Sequence, residues 1–243
     1  MTLSIQGYSQ PSGWSPTFAP PMIPGCVLWL RADLGTTLAT GVSQWNDQSG
    51  TGDSNKNCAQ ATGSAQPTLN VRDGQYNNQA TLSFASGSSQ RLFSGTWASA
   101  LAVPSTWIVV GHDSMTTSAN IMLDGLAASF RQTAYTTTTN LNLLAGSSVC
   151  GAAANVTSPS VIAGSFINPN GSLYLNNSST ALVTSSLSPW DTLQGVSVGA
   201  AYNGTSPMNG KIAEVIAYAT TLTAGQLNAV FRYLGYRYGI VAS

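Results

Sequence analysis

Charge is the scarcest property of this sequence. Asp, Glu, Lys and Arg together make up 7% of its 243 residues, against about 25% in ordinary globular proteins. The eight acidic and eight basic residues cancel and form no run of either sign. A chain without a basic stripe has nothing to steer it toward nucleic acid or an anionic lipid surface, so neither is expected as a partner. Long hydrophobic runs are missing too. No stretch approaches the ~20 apolar residues of a membrane span. The opening "MTLSIQGYSQPSGWSPTFAPPMIPG" has neither the basic region nor the continuous apolar region of a signal peptide.

Chemistry-bearing residues are few. There is one Glu, Glu214, and one His, His112. The neighbouring Asp113 suggests an acid–base pair with His112, but consecutive strand residues point to opposite faces and do not cooperate. No G-x-S-x-G elbow is present for a serine nucleophile. Three cysteines, Cys26, Cys58 and Cys150, cannot all pair within one chain, and their spacing makes no zinc pattern. Buried free thiols are the expectation, with a Cys26–Cys58 bridge as the alternative.

What the chain has instead is Ser, Thr, Asn, Gln and Gly, together with 43% hydrophobic and 9% aromatic residues. Such a chain folds around one core and presents a neutral hydroxyl- and amide-rich surface. Five of its eleven prolines lie in residues 1–25, which predicts an extended arm. Tyr8, Trp14 and Phe18 in this stretch are more than a linker needs and mark an arm that docks on another protein.

From Gly25 onward, short strand signals recur at 8–15-residue intervals, the spacing of an all-β sandwich. "VLWLRA" places Leu28, Leu30 and Ala32 on one face and Trp29 and Arg31 on the other. Trp45 is predicted to anchor the following strand in the core, and "NDQSG" closes the corner by local bonds. "NIMLDG" and "AASFRQTAY" read as a hairpin around Asp124–Gly125, and "SVIAGSFI" and "SLYLNN" as a second around "NPNG". Residues 133–160 are the least decided. "KIAEVIAY" is a strand in which Glu214 shares a face with Ile212, Ile216 and Tyr218, partly buried and paired to a loop amide or Arg. Near the end, Thr223 and Gln226 form a capping box, and Leu227, Val230, Phe231 and Leu234 make one helical face. Gly239 ends that helix, which is expected to pack across the outside of the sandwich.

These segments together, "VLWLRADLG…GVSQWNDQSG", "STWIVVG", "GSLYLNN" and "NGKIAEVIAYATTLTAGQLNAVFRYLGYRYGI", resemble the concanavalin A-like (laminin-G-like) jelly-roll superfamily. The nearest likeness is to the forms found in bacteriophage virion proteins and bacterial surface proteins. The resemblance implies an antiparallel two-sheet β-sandwich over residues 26–243 with a concave outer face, one C-terminal helix and a Pro-rich arm at 1–25. It implies a non-enzymatic virion structural protein, a head decoration or tail appendage, made in the host cytoplasm and held on the particle surface. The arm would bind other virion proteins, with the chain in several copies on the particle and the sandwich facing host-surface glycans. A carbohydrate-binding module or adhesin of a bacterial surface protein is the alternative.

The superfamily also includes glycoside hydrolases, which need two carboxylates about 5–9.5 Å apart. One Glu leaves the second position unfilled, so cleavage is not expected. The resemblance further implies calcium at a sandwich rim. Asp47 and Asp53 in "NDQSGTGDSN", or Asp113 and Asp124, are the weak candidates. The EF-hand pattern fails because its twelfth position is Cys58, and no other cofactor is expected. Sugar binding calls for aromatic platforms flanked by amides and Arg. Tyr202 on its Gly-rich loop and Tyr135 are the leading candidates, with Asn203 and Arg131 as hydrogen-bonding partners. Trp97, Trp107 and Trp190 are more readily explained as packing.

Overall fold

The computed structural model describes residues 18–116, 119–128, 132–146, 148–176, 178–187 and 192–241. In chain order the strands are β1 (Cys26–Arg31), β2 (Thr36–Leu38), β3 (Val42–Trp45), β4 (Cys58–Ala59), β5 (Thr68–Asp73), β6 (Gln79–Phe84), β7 (Leu92–Phe93) and β8 (Ser105–Asp113). They continue as β9 (Asn120–Asp124), β10 (Gln132–Thr136), β11 (Asn140–Ala145), β12 (Ser148–Ala153), β13 (Ser160–Ile167), β14 (Asn170–Leu175), β15 (Val183–Ser186), β16 (Ser197–Val198) and β17 (Gly210–Tyr218). One helix, α1 (Ala224–Tyr238), follows.

The strands form two antiparallel sheets packed as a sandwich. The first runs β15-β14-β13-β8-β17-β6-β5, with β1 also paired to β17. The second runs β12-β11-β10-β9-β16-β7-β4-β3-β2. Side chains alternate across a strand, so each sheet turns every second residue inward. Leu28 and Leu30 of β1, Trp45 of β3 and Leu123 of β9 meet between the sheets with Trp107 and Val109 of β8. Trp45 is fully buried, and its indole N–H donates to the Arg31 carbonyl at 2.7 Å. The expected partition of "VLWLRA" therefore holds, with Trp29 on the outer face. The hairpin at "NPNG" also forms, from β13 and β14. The other is wider than expected: β9 and β10 do pair, but residues 125–131 connect them, so Asp124–Gly125 only begins the connection. In residues 133–160, β11 and β12 extend the second sheet.

All three cysteines are free thiols, with Cys58 and Cys150 buried and Cys26 half-buried, so the Cys26–Cys58 bridge is not formed. Burial and, secondarily, the nearby Asp47 push the Cys26 thiol up to about 12, which leaves it unreactive.

The outer face of the first sheet carries a second apolar cluster. Trp29, Ile108, Ile216 and Tyr218 lie on the sheet side, and Leu227, Val230, Phe231 and Leu234 of α1 pack down on them. The helix starts where predicted. The Thr223 hydroxyl accepts the Gln226 N–H, and the Gln226 side chain accepts the Thr223 N–H at 2.9 Å. It ends at Gly239 with φ 68°, a left-handed position that favours glycine. Phe18, assigned from sequence to the arm, rests against Tyr233 of α1 with ring centroids 5.6 Å apart. Tyr8 and Trp14 lie outside the described residues.

Glu214 departs from the sequence reading in two respects. Strand β17 pairs with β6 over Gly210–Ile212 and with β1 over Glu214–Tyr218, and a bulge separates the two registers on the β8 side. A bulge breaks strict alternation, so Ile212 turns into the main core while Ala213, Ile216 and Tyr218 face the helix. Glu214 is fully buried beneath α1, not partly exposed. Its partners are neither an Arg nor a loop amide. The Trp29 indole N–H donates to Oε1 at 2.5 Å, the Tyr238 hydroxyl to Oε2 at 2.7 Å, and the Tyr233 hydroxyl reaches both oxygens at 3.3–3.4 Å.

Burial raises the Glu214 carboxyl above its ordinary value of 4.5, and the hydrogen bonds from Tyr238 and Trp29 offset this only in part. A raised carboxyl stabilises the fold fully below the unfolded value and progressively less as pH rises through the native one. Glu214→Gln is therefore expected to gain stability relative to the parent as pH rises above about 4.5. Below that the difference is flat. Denaturant titrations across pH 4–8 give the difference curve, and a pH-independent difference refutes the buried-charge account. Glu214→Ala leaves three buried donors without an acceptor and is expected to cost about 1–3 kcal/mol below about pH 4.5, the cost shrinking at higher pH along the same curve as for Gln.

Candidate functional site

Three of the four residues singled out for binding, Tyr202, Asn203 and Tyr135, lie at the second sheet and the loop that follows β16. Paired residues on neighbouring strands share a face. Ser197 of β16 pairs with Asp124 of β9 on one side and with Phe93 of β7 on the other. Their neighbours Val198, Leu123 and Leu92 point into the core, so Ser197, Asp124 and Phe93 lie on the outer face. Phe93 is 39% exposed there.

Asp124 is fully buried beneath the loop that follows β16. Its Oδ1 accepts the Thr133 hydroxyl at 2.6 Å and the Gly125 N–H at 2.9 Å. Its Oδ2 accepts the Tyr202 N–H at 3.0 Å. One carboxylate thus ties β10 to the Tyr202 loop. The loop is further shaped by Asn203, whose Oδ1 accepts the Thr205 N–H and hydroxyl, an Asx turn. Tyr135 lies on β10 two residues beyond Thr133 and pairs with Ile121. Ile121 in turn donates its N–H to Ser206 of the loop. Tyr202 and Asn203 sit on the loop that Asp124 holds, and Tyr135 pairs with the residue that donates to that loop, so the three lie in one neighbourhood, Tyr202 and Tyr135 half-buried and Asn203 exposed.

Arg91, which the sequence reading passed over, completes the arrangement. Its Nη1 donates to the carbonyls of Ala201 and Tyr202 at 3.3 and 3.0 Å. Its guanidinium lies over the Phe93 ring, 4.9 Å from the centroid. Gly204, at φ 83°, lets the turn close on this group: a Cβ there would sit 3.2 Å from the Arg91 guanidinium carbon. The "QRLFSG" strand signal contained both residues, and their alternation put Arg91 and Phe93 on the same face. What the sequence lacked was the loop that closes over them. The result is a ledge about four strands wide in which aromatic surface, a guanidinium and loop amides stand side by side.

The remaining candidates fall elsewhere. Arg131 and Trp190 lie outside the described residues. Trp97 and Trp107 are core, 4% and 2% exposed. Asp47 accepts the Trp29 and Ser49 N–H groups on Oδ1 and the Ser49 and Thr51 hydroxyls on Oδ2. Asp53 caps a short turn by accepting the Asn55 N–H and also accepts the Ala98 N–H. Both are turn formers, with each oxygen already taken by a protein donor. Asp113 is fully buried and accepts from Met115, Asn120, Thr136 and Asn209. His112 points the other way and meets the Tyr76 hydroxyl at 2.9 Å. Among the described residues, no group of three or more His, Cys, Asp or Glu side chains is placed to hold a metal ion. No helix there is long and apolar enough to cross a membrane.

The sequence matches no family model and no curated protein. The fold does match solved structures. The binding domain of botulinum neurotoxin DC in complex with rat synaptotagmin II superimposes with a TM-score of 0.62 at 12% identity, over 90% of this chain and 53% of that one. The botulinum neurotoxin type G receptor binding domain gives 0.60 at 9% identity, over 86% and 51%. The serotype C1 binding domain gives 0.61 at 11% identity, over 86% and 52%. This chain spans about half the length of these domains, and at such identities the likeness is one of fold.

If the Asp124 carboxylate holds the ledge together, Asp124→Ala strands three buried donors and is expected to destabilise the protein by about 1–3 kcal/mol. The Tyr202 amide should then lose its protection in hydrogen exchange while the β8 amides keep theirs. Unchanged Tyr202 protection would remove Asp124 from this role.

Proposed function

We propose that this chain is a non-catalytic recognition domain that binds glycans on the outer face of its second sheet. The observation that carries this reading is the ledge formed by Phe93, Arg91 and the Tyr202 loop. A pyranose has an apolar face and a polar rim, and it is recognised where an exposed ring lies beside fixed donors. Phe93 and Tyr202 supply rings. Among the described residues, Arg91 is oriented by two carbonyls through Nη1, which leaves its Nε and Nη2 protons for a ligand. Two of the structures that share this fold bear on the same reading. One is a botulinum neurotoxin DC binding domain in complex with SialylT, and another describes type C entry as dependent on two ganglioside molecules.

The non-catalytic part of the proposal rests on where the acids go. Glu214, Asp113 and Asp124 are fully buried and each accepts hydrogen bonds from protein donors. An acid buried and held by protein donors is not placed to act as the exposed acid or base that glycosidic cleavage requires.

We further propose the setting expected from the sequence: a virion surface protein, in several copies, attached through its N-terminal arm and presenting the ledge to host glycans. Residues 18–25 run onto the domain, with Phe18 on Tyr233 and the Pro20 carbonyl accepting the Tyr218 hydroxyl. The attachment segment is accordingly residues 1–17, with Tyr8 and Trp14.

Two experiments test these readings. On a glycan array, Phe93→Ala and Tyr202→Ala are each expected to weaken binding about tenfold or more, the equivalent of ~1.4 kcal/mol. Binding that survives both changes places recognition elsewhere. Removing residues 1–17 is expected to abolish incorporation into particles without altering the domain's thermal unfolding, and normal incorporation would refute the arm.

A further inference from the structure

The first sheet has an open end that α1 does not cover. Across it, Thr68, Ser83, Lys211 and His112 follow one another on β5, β6, β17 and β8 as directly paired residues on the outer face. They form the floor of a cleft of about 480 Å³, walled by Gln90, Asn209 and Thr157 among others. That is within the range of small-ligand sites.

The hydrogen-bond network fixes what this floor offers. The Tyr76 hydroxyl is buried and has one partner among the described residues, the Nδ1 of His112. A buried hydroxyl needs somewhere to put its proton, and burial keeps this phenol protonated. Tyr76 therefore donates to Nδ1, which leaves the ring proton on Nε2 of a histidine that lines the cleft. Lys211 gives two ammonium protons to Asp73 Oδ2 (2.8 Å) and Gln75 Oε1 (3.2 Å) and keeps the third. The Ser83 hydroxyl accepts from the Asn70 amide at 2.7 Å, so its own proton is free to donate. Three donors thus stand in a row on adjacent strands.

We infer that this cleft binds the carboxylate of an acidic sugar, a hexuronate unit. Ser83, Lys211 and His112 donate to the carboxylate, and Gln90, Asn209 and Thr157 meet the ring hydroxyls. A row of donors with no carboxylate oxygen left open matches an acceptor-only group. Asp73 is occupied by Lys211, Thr81 and the Gln75 N–H. Asn209 is held in place because its N–H donates to the buried Asp113. The inference does not rest on the Phe93–Tyr202 ledge, which belongs to the other sheet.

Binding should strengthen on acidification. Burial and then the nearby Lys211 hold His112 below its ordinary value of 6.5, while Asp73 and Asp113 pull the other way and Tyr76 stays neutral. A bound anion favours the imidazolium, so by linkage the ligand raises the His112 pKa.

The test uses the intact chain, whose one histidine gives a single ring signal after histidine-selective labelling. The expected results are an Nε2-protonated tautomer near pH 7.5, a saturable shift with glucuronate, and a raised His112 pKa in its presence. Glucose and inorganic phosphate should give no saturable shift. Lys211→Gln, which keeps a donor for Asp73, should weaken glucuronate binding about tenfold, and Phe93→Ala should leave it unchanged. No saturable shift, an equal response to glucose or phosphate, or insensitivity to Lys211→Gln overturns the assignment. Loss of the response in Phe93→Ala would move the ligand to the ledge and equally overturn it. The ledge reading is judged separately, by the array.

Discussion

The burial of Glu214 is the constraint around which the outer half of this fold is arranged. A carboxylate cannot be removed from water without donors to replace it, and the first sheet supplies one, the Trp29 indole. The others, Tyr233 and Tyr238, come from α1. Helix and strand are therefore specified together: the acid demands the helix, and the helix needs the apolar surface of Trp29, Ile108, Ile216 and Tyr218 to dock. The pairing of β17 with β1 at one end and with β6 at the other puts Glu214 under the helix while Lys211, three residues earlier, stays outside it. One strand thus builds a closed, packed end and an open, polar end on the same sheet face.

The scarcity of charge gives the other acids a similar role. Asp113 joins the end of β8 to β9, β10 and the segment before β17. Asp124 joins β10 to the Tyr202 loop. Asp47 fixes the corner after Trp45 to the Trp29 backbone. Each acts as a multivalent acceptor for otherwise unsatisfied backbone and hydroxyl donors, a stronger arrangement than neutral pairs provide. Exposed ion pairs contribute little by comparison. Arg31 and Arg237 do meet at Asp33, where their contacts outweigh burial and hold its carboxyl below the ordinary range.

The all-β architecture, the opening strand with its alternation, the hairpin at "NPNG" and the capped helix were legible in the sequence because each rests on local rules: period two, turn residues, a capping box. The environment of Glu214 was not. Strict alternation put Ile212 on its face, and only the change of partner strand along β17 reveals the bulge that separates them. The ledge was half legible. Tyr202, Asn203 and Tyr135 were identifiable as an aromatic and an amide on a Gly-rich loop and an aromatic nearby. Arg91 and Phe93 gained their significance from a loop more than a hundred residues away. Asp124 was visible as a turn residue, but its contacts to Thr133 and Tyr202 are products of topology. The tautomer of His112 depends on Tyr76, thirty-six positions earlier, and no local pattern encodes it.

A surface built this way offers a ligand geometry more than field. With a net charge of zero, long-range steering is weak, and selectivity falls to fixed donors beside apolar rings. Fixed donors are what the buried acids provide. Asp124 sets the backbone of the loop whose carbonyls orient Arg91, and Asp113 sets the backbone of Asn209 at the cleft wall. Preorganisation of this kind lowers the ordering penalty on binding. The same carboxylates, buried and occupied by protein donors, thereby become the supports of the ledge on one sheet and of the cleft on the other.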